Sequence, residues 1–401
     1  MKKRILTLLL AVLLPLTAMA DTRIMVATDL HYLAPSLYAD SELFQQVIRY
    51  GDGKLTQESP ALLEALLAEA RHQRPDALIL TGDLTFNGEK QSHLELAAAM
   101  ERLWDEGIPV YVIPGNHDIG NPGALAYSAY SYGLTENVTA AEFREIWARC
   151  LDPEERGAGM SFTVSLPGNV RLLMTDVSVY GEDFAPYGLF TDGHARWLAQ
   201  ALAEAEEAGA TVITATHQNL LSQTSFSSET YLIRGGERMQ AMLAQAGVRL
   251  NLSGHIHAQH TMRSGDLTDA ATGAYSISPH RWAMVRVAQD GEVRYSAEAL
   301  CPEHLPAGFP EMSAKFFASV TVIKLRGRLA EADISLEDQE IMLNYAARFN
   351  THFFAGTLDP ADPFWTEDPG YALWNANRDR LSFGDYMMRN LAYEEALRSA
   401  P

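Results

Sequence analysis

Cysteine is nearly absent: the 401 residues contain two, Cys150 and Cys301. That excludes a disulfide scaffold and a Cys-rich structural zinc site. One bridge between the two remains open in an oxidising compartment, because their separation in space does not follow from sequence. Basic residues are also scarce, 31 Lys and Arg against 51 Asp and Glu, for a net charge of −20. An excess of that sign repels polyanions and offers anionic membranes no attraction, so no nucleic-acid polymer is expected as a partner. Simple solubility is the bland reading of the same charge, which also says nothing about the local field in one cleft. After residue 20 no apolar run approaches the ~20 residues a spanning helix needs, and no membrane anchor is expected. Internal repeats and low-complexity segments are lacking as well.

What is present begins with an export signature. Lys2, Lys3 and Arg4 precede an apolar run from Ile5 to Leu16, and Ala18-Met19-Ala20 has the small-x-small pattern cut by signal peptidases. Residues 1–20 are therefore expected to be a cleaved signal peptide, with Asp21 as the mature N-terminus and the periplasm or exterior as destination. Losing Lys2, Lys3 and Arg4 takes the charge from −20 to −23.

The remaining chain alternates short β-branched runs with amphipathic stretches. Strands are expected at 23–27, 77–80 and 110–113, with helices at 59–73 and 92–106 between them, which predicts a parallel sheet with right-handed crossovers. Residues 32–58 read as an irregular insertion with a helix near 41–49. After Asp118 comes a Gly-, Tyr- and Ser-rich excursion, then a helix near 140–149. Strands follow at 161–166, 170–175, 211–215 and 248–252, with helices near 192–208 and 237–246, and alternating segments up to about Glu298 are expected to complete a second sheet. Residues 301–401 differ in texture. Pro-rich turns, a capping signal at Ser335 and aromatics such as Phe349 and Trp365 predict a mostly helical C-terminal extension following a catalytic unit at 21–300.

Polar residues gather where these strands end: Asp29 with His31, Asp83, Asn116 with His117 and Asp118, His217, and His255 with His257. Open α/β sheets place ligands at the carboxyl ends of their strands. A lone His is usually a satisfied core or surface residue, but five such sets are costly to assemble unless a cation neutralises them. Asp, His and Asn together suit Zn, Mn or Fe.

The order Asp-x-His, Gly-Asp, Gly-Asn-His-Asp, His, Gly-His-x-His over roughly residues 22–300 resembles the calcineurin-like metallophosphoesterases, with every ligand position filled. The resemblance implies an α/β fold, a sandwich of two mixed sheets flanked by helices, and a pair of divalent or mixed-valence transition-metal ions (Mn, Fe or Zn). It implies that Asp29, His31 and His257 hold one metal, that Asp83 bridges to the second, and that Asn116, His217 and His255 complete the second site. His117 would stand over the leaving group, with Asp118 supporting it by a hydrogen bond. Purple acid phosphatases carry a Tyr among their ligands. Thr85-Phe86-Asn87 offers none after Asp83, so this chain is not of that branch.

Two cations about 3.5–4 Å apart can share a hydroxide near neutral pH and clamp phosphoryl oxygens for in-line attack. The implied activity is hydrolysis of a small phosphoester. The first and last blocks resemble the cyclic-nucleotide phosphodiesterase branch, which tilts the reading to diesters, although monoesterases share every block. A non-catalytic binding module on the same scaffold is the competing reading, and such modules usually lose ligands that this chain keeps. The insertion at 32–58, the excursion after Asp118 and the helical extension are the segments expected to rim the cleft, with packing as the alternative role.

Overall fold

A computed structural model describes residues 21–151, 157–225 and 229–399. The expected signal peptide lies outside them.

Two mixed sheets stack face to face between helices. The first runs in the order Val293–Ala299, Arg281–Val287, Thr22–Ala27, Ala77–Leu80, Val110–Val112. Its last three strands are parallel, as the strand–helix alternation requires. The second runs His260–Ser264, Leu267–Ala271, Leu250–Ser253, Thr211–Ala215, Val170–Met174, Phe162–Leu166, parallel through its middle four strands.

Period-2 alternation assigns each residue to a layer. Ile24, Val26 and Ile79 point between the sheets and meet Leu172, Met174 and Ile213. Met25, Leu78 and Leu80 point the other way, onto Leu62, Leu66 and Met100 of the helices Ser59–Gln73 and Lys90–Asp105. On the far side, Leu173 packs against Leu198 and Met239 of the helices Asp192–Glu207 and Gly236–Gln245. The result is a helix–sheet–sheet–helix sandwich, the expected architecture.

Several local expectations are corrected. The segments 281–299 do not complete the second sheet; they extend the first one antiparallel from Thr22–Ala27, because Ala283 and Val285 join the layer between the sheets. Leu267–Ala271 extends the second sheet in parallel. The helix expected near 192–208 is capped by Thr191, its hydroxyl accepting from His194 N at 3.3 Å. Ser59 sits inside its helix, and its Oγ accepts instead from Leu33 N at 3.2 Å. Cys150 and Cys301, whose pairing the sequence leaves open, are both free thiols.

The C-terminal region is helical, as expected, but its longest helix, Phe309–Ala330, has no single apolar stripe to announce it. The reason is that it faces three environments. Phe309 enters the core under the first sheet, Leu325 and Leu329 join Met342, Phe349, Trp365 and Trp374 in a helical core, and Phe317 belongs to a small cluster with Ala274 and Ile277. Ala258 of the sandwich shares the helical core. Hydrogen bonds from Gln259 N to Phe354 O (3.0 Å) and from Arg281 to Ala355 O (2.8 Å) tie the extension down. No helix among the described residues is long and apolar enough to cross a membrane.

Candidate metal centre

Pairing continues beyond the ends of the first two parallel strands: Asp29 N donates to Gly82 O and His31 N to Asp83 O, both at 3.0 Å. This brings the first two polar blocks together, and the ends of the other strands deliver the rest. Asp29, His31, Asp83 and His257 form one group of potential ligands, and Asp83, His217 and His255 a second; within each, one donor atom per residue lies within 4.8 Å of the others. The two oxygens of Asp83 divide between the groups. Oδ2 is 3.6 Å from His31 Nε2, and Oδ1 is 3.3 Å from His217 Nε2. Asn116 Oδ1 stands 3.2 Å from the same His217 nitrogen.

The local backbone is unusual. Asp29, His31, Asp83, His255 and His257 all have positive φ, between 44° and 68°. Side-chain-bearing residues seldom adopt this region, and holding one there costs of order 1 kcal/mol or more. Gly115 and Gly254 answer a different need, close approach: a Cβ on Gly115 would overlap Asp83 Oδ1, and one on Gly254 would overlap Thr28 Oγ1.

The charge on Asp83 and the protonation of His31 and His255 suit cations, and His217 must give up a proton to join them. Burial opposes ionisation of Asp83, yet the surrounding imidazoles, His217 foremost, hold its carboxyl well below the usual range. Burial pushes His31 well below the usual imidazole range and His255 down to about 3, so both offer neutral lone pairs. Burial also opposes charge on His217, but the Asp83 carboxylate prevails and raises it to about 9. His217 Nδ1 donates to Thr81 O at 2.9 Å, which aims Nε2 at Asp83 and Asn116.

His31 Nε2 and His257 Nε2 face each other at 3.2 Å, while the buried Asp29 Oδ1, 3.3 Å from His257 Nε2, makes no hydrogen bond. Converging lone pairs with an orphaned carboxylate oxygen are what a bound cation would satisfy. The residues present therefore fit transition-metal ions, with Asp83 shared between two positions.

His117 lies beside this cluster, Nε2 3.9 Å from Asp83 Oδ2. The expectation that Asp118 supports it is corrected. Asp118 turns back into the fold, and its carboxylate accepts from Leu84 N (3.1 Å), Thr85 N (2.9 Å) and Gly115 N (2.8 Å). Three backbone donors outcompete a chain neighbour whose ring points elsewhere. His117 Nδ1 instead donates to Phe86 O at 2.8 Å and lies 2.9 Å from Asn87 Oδ1. The only sequence signal for Asn87 is its place four residues after Asp83. The buried His93 accepts from Trp147 Nε1 and places its own Nε2 2.9 Å from Asp118 O, pinning the loop from behind.

A cavity of about 950 Å³ opens over the cluster. Asp83, Asn116, His117 and His255 of the cluster line it, together with Asp52 and Lys54 of the insertion and Phe317, Lys324 and Arg328 of the helix Phe309–Ala330, which the insertion touches where Gly53 packs on Phe317. The insertion and the extension thus line the cleft as expected. The excursion after Asp118 does not; it forms a hairpin of Leu125–Tyr127 with Tyr132–Leu134 and contributes no lining residue.

A two-sheet α/β sandwich with acid and imidazole groups sharing one carboxylate at the strand ends defines the class of dinuclear metallohydrolases. The family model for calcineurin-like phosphoesterases matches residues 22–259, and the chain belongs to that family of metal-dependent phosphoester hydrolases. A curated relative from Moraxella catarrhalis, described as "Probable cyclic nucleotide phosphodiesterase", is 26% identical over 199 residues, 49% of this chain and 64% of the relative. This chain therefore spans less than two thirds of that relative's length. Among solved structures, a dimetal phosphatase from Danio rerio is similar in fold, with a TM-score of 0.51 at 13% identity, over 70% of this chain and all of that one.

Proposed function

We propose that this chain hydrolyses phosphodiesters at a centre of two metal ions held by Asp29, His31, Asp83, Asn116, His217, His255 and His257. The observation that carries the reading is the division of Asp83 between two ligand groups. When bound, such metals supply Lewis-acid clamping of phosphoryl oxygens and a water of lowered pKa. The protein's own residues do the rest. His117 must carry hydrogen on Nδ1 to donate to Phe86 O, so Nε2 is the atom left to hold or move a proton in the cleft. Burial lowers its pKa and the Lys54 ammonium adds to that, against the Asp83 carboxylate. A proton held on Nε2 is therefore readily passed to a departing alkoxide.

The description of the Moraxella relative supports the choice of diesters, and a cavity of about 950 Å³ has room for an organic substituent beside the phosphoryl group. The N-terminal pattern supports action outside the cytoplasm, which N-terminal sequencing of exported chain starting at Asp21 would check.

The test uses matched 4-nitrophenyl phosphomonoester and phosphodiester substrates, with enzyme stripped of metal and reloaded with Mn, Zn or Fe. Metal-dependent turnover faster on the diester is expected. A higher kcat/KM on the monoester would replace the diester reading, and no turnover with two metals bound would favour a binding module.

A further inference from the structure

The chain's charge is −20, yet the wall of the cleft carries cations. Cavity-lining residues of the helix Phe309–Ala330 centre on one face, at 317, 320, 321, 324 and 328, with Ile323, Leu325 and Gly327 beside it, and the acidic Glu331 follows at its C-terminal cap. Along that face the chemistry changes. Phe317 and Val320 form a buried apolar end, and Lys324 and Arg328 follow one turn apart. No carboxylate lies within ion-pair distance of either cation among the described residues, whereas Arg326, on a different face of the same turn, pairs with Glu340. Lys54, itself 7% exposed and next to the Gly53 that packs against Phe317, lies 3.2 Å from Asp52, whose carboxylate offsets its charge and also attracts Lys324. Two exposed cations outside ion-pair distance of the cavity's Asp52 and Glu331, beside an apolar shelf and sharing one cavity with a phosphoryl site, are arranged for a substrate with a ring and a second anionic group.

We infer that Lys324 and Arg328 select a phosphoester whose organic part carries a ring and a further anionic group, a second phosphate being the simplest. The reacting phosphoryl group sits over the Asp83 cluster, the ring lies along Phe317 and Val320, and the second anion reaches Lys324 and Arg328. The inference rests on the phosphoesterase reading, since it supposes one phosphate at the Asp83 cluster.

The test is calorimetric binding of thymidine 3′,5′-bisphosphate and thymidine 5′-monophosphate to the full chain loaded with Mn. The bisphosphate should bind about tenfold or more tightly, and the margin should shrink as ionic strength rises. The double variant Lys324→Ala, Arg328→Ala should lose that margin, the exchange Lys324→Arg, Arg328→Lys should keep it, and Arg326→Ala, which removes a charge from the same turn, should leave it unchanged. Equal affinity for the two nucleotides in the native chain, or a margin that survives the double Ala variant, would overturn the inference. Hydrolysis of bis(4-nitrophenyl) phosphate, which has no second anion, is measured alongside. Turnover without a binding margin sinks only the present inference, and a margin without turnover sinks only the hydrolase reading.

Discussion

Asn87 Oδ1 lies 2.9 Å from Nδ1 of His117, on the side of the ring away from the cleft. With Phe86 O it fixes one tautomer and one orientation of the imidazole. Asn87→Ala leaves the Phe86 contact, so kcat should fall by about three- to tenfold with KM nearly unchanged. Asn87→Asp places a carboxylate at the same atom and should shift the His117 limb of the pH–rate profile upward. A profile that does not move would mean that His117 does not titrate in turnover. His117→Ala should leave metal content intact and slow substrates with poor leaving groups most, measured as the slope of rate against leaving-group pKa.

Asp83→Ala removes the carboxylate shared by both ligand groups. Metal content, read by inductively coupled plasma mass spectrometry, should fall at both positions together, and turnover by about a thousandfold or more. Loss at one position only would assign Asp83 to a single metal.

Asp118→Ala leaves the buried amides of Leu84, Thr85 and Gly115 without their acceptor. At about 1–3 kcal/mol for an unsatisfied buried group, and with partial relaxation, urea unfolding should show a loss of about 2–5 kcal/mol. These amides flank Asp83 and Asn116, so metal affinity should weaken as well. A variant of native stability that lost only turnover would restore the catalytic role expected from sequence.

Glu89 is fully buried, and burial pushes its pKa from 4.5 up to about 7. The folded state then keeps this proton at pH values where the unfolded chain has released it, so stability falls as pH rises from about 4.5 to 7. Glu89→Gln retains the acceptor for Asn87 N and removes the titration. Denaturant titrations from pH 5 to 8 should show a flatter profile for the variant, which gains about 1–3 kcal/mol over the native chain above pH 7.

The fold and the ligand blocks were legible because both follow from local chemistry. Ile24, Val26, Ile79 and Leu172 alternate with the period of a strand, and Asp29, Asp83 and His217 stand where their strands end. What stayed hidden depends on direction in space. Chain adjacency suggests that Asp118 serves His117, but only coordinates show its carboxylate turned toward Leu84, Thr85 and Gly115. Asn87 has the composition of a turn and the position of a catalytic support. The helix Phe309–Ala330 buries different sides in different cores, which erases the stripe by which helices are usually read. The parting of the last strands between sheets is likewise a matter of register, set by where Ala283 and Val285 find partners.

That same helix makes the recognition surface inseparable from the fold. It contributes Phe309, Leu325 and Leu329 to two cores while offering Lys324 and Arg328 to the cleft. Removing the extension would therefore strip apolar cover from the sandwich along with the cleft-lining Lys324 and Arg328. A substitution on the cleft-facing side of this helix changes the cavity, whereas one on its other sides loosens a core.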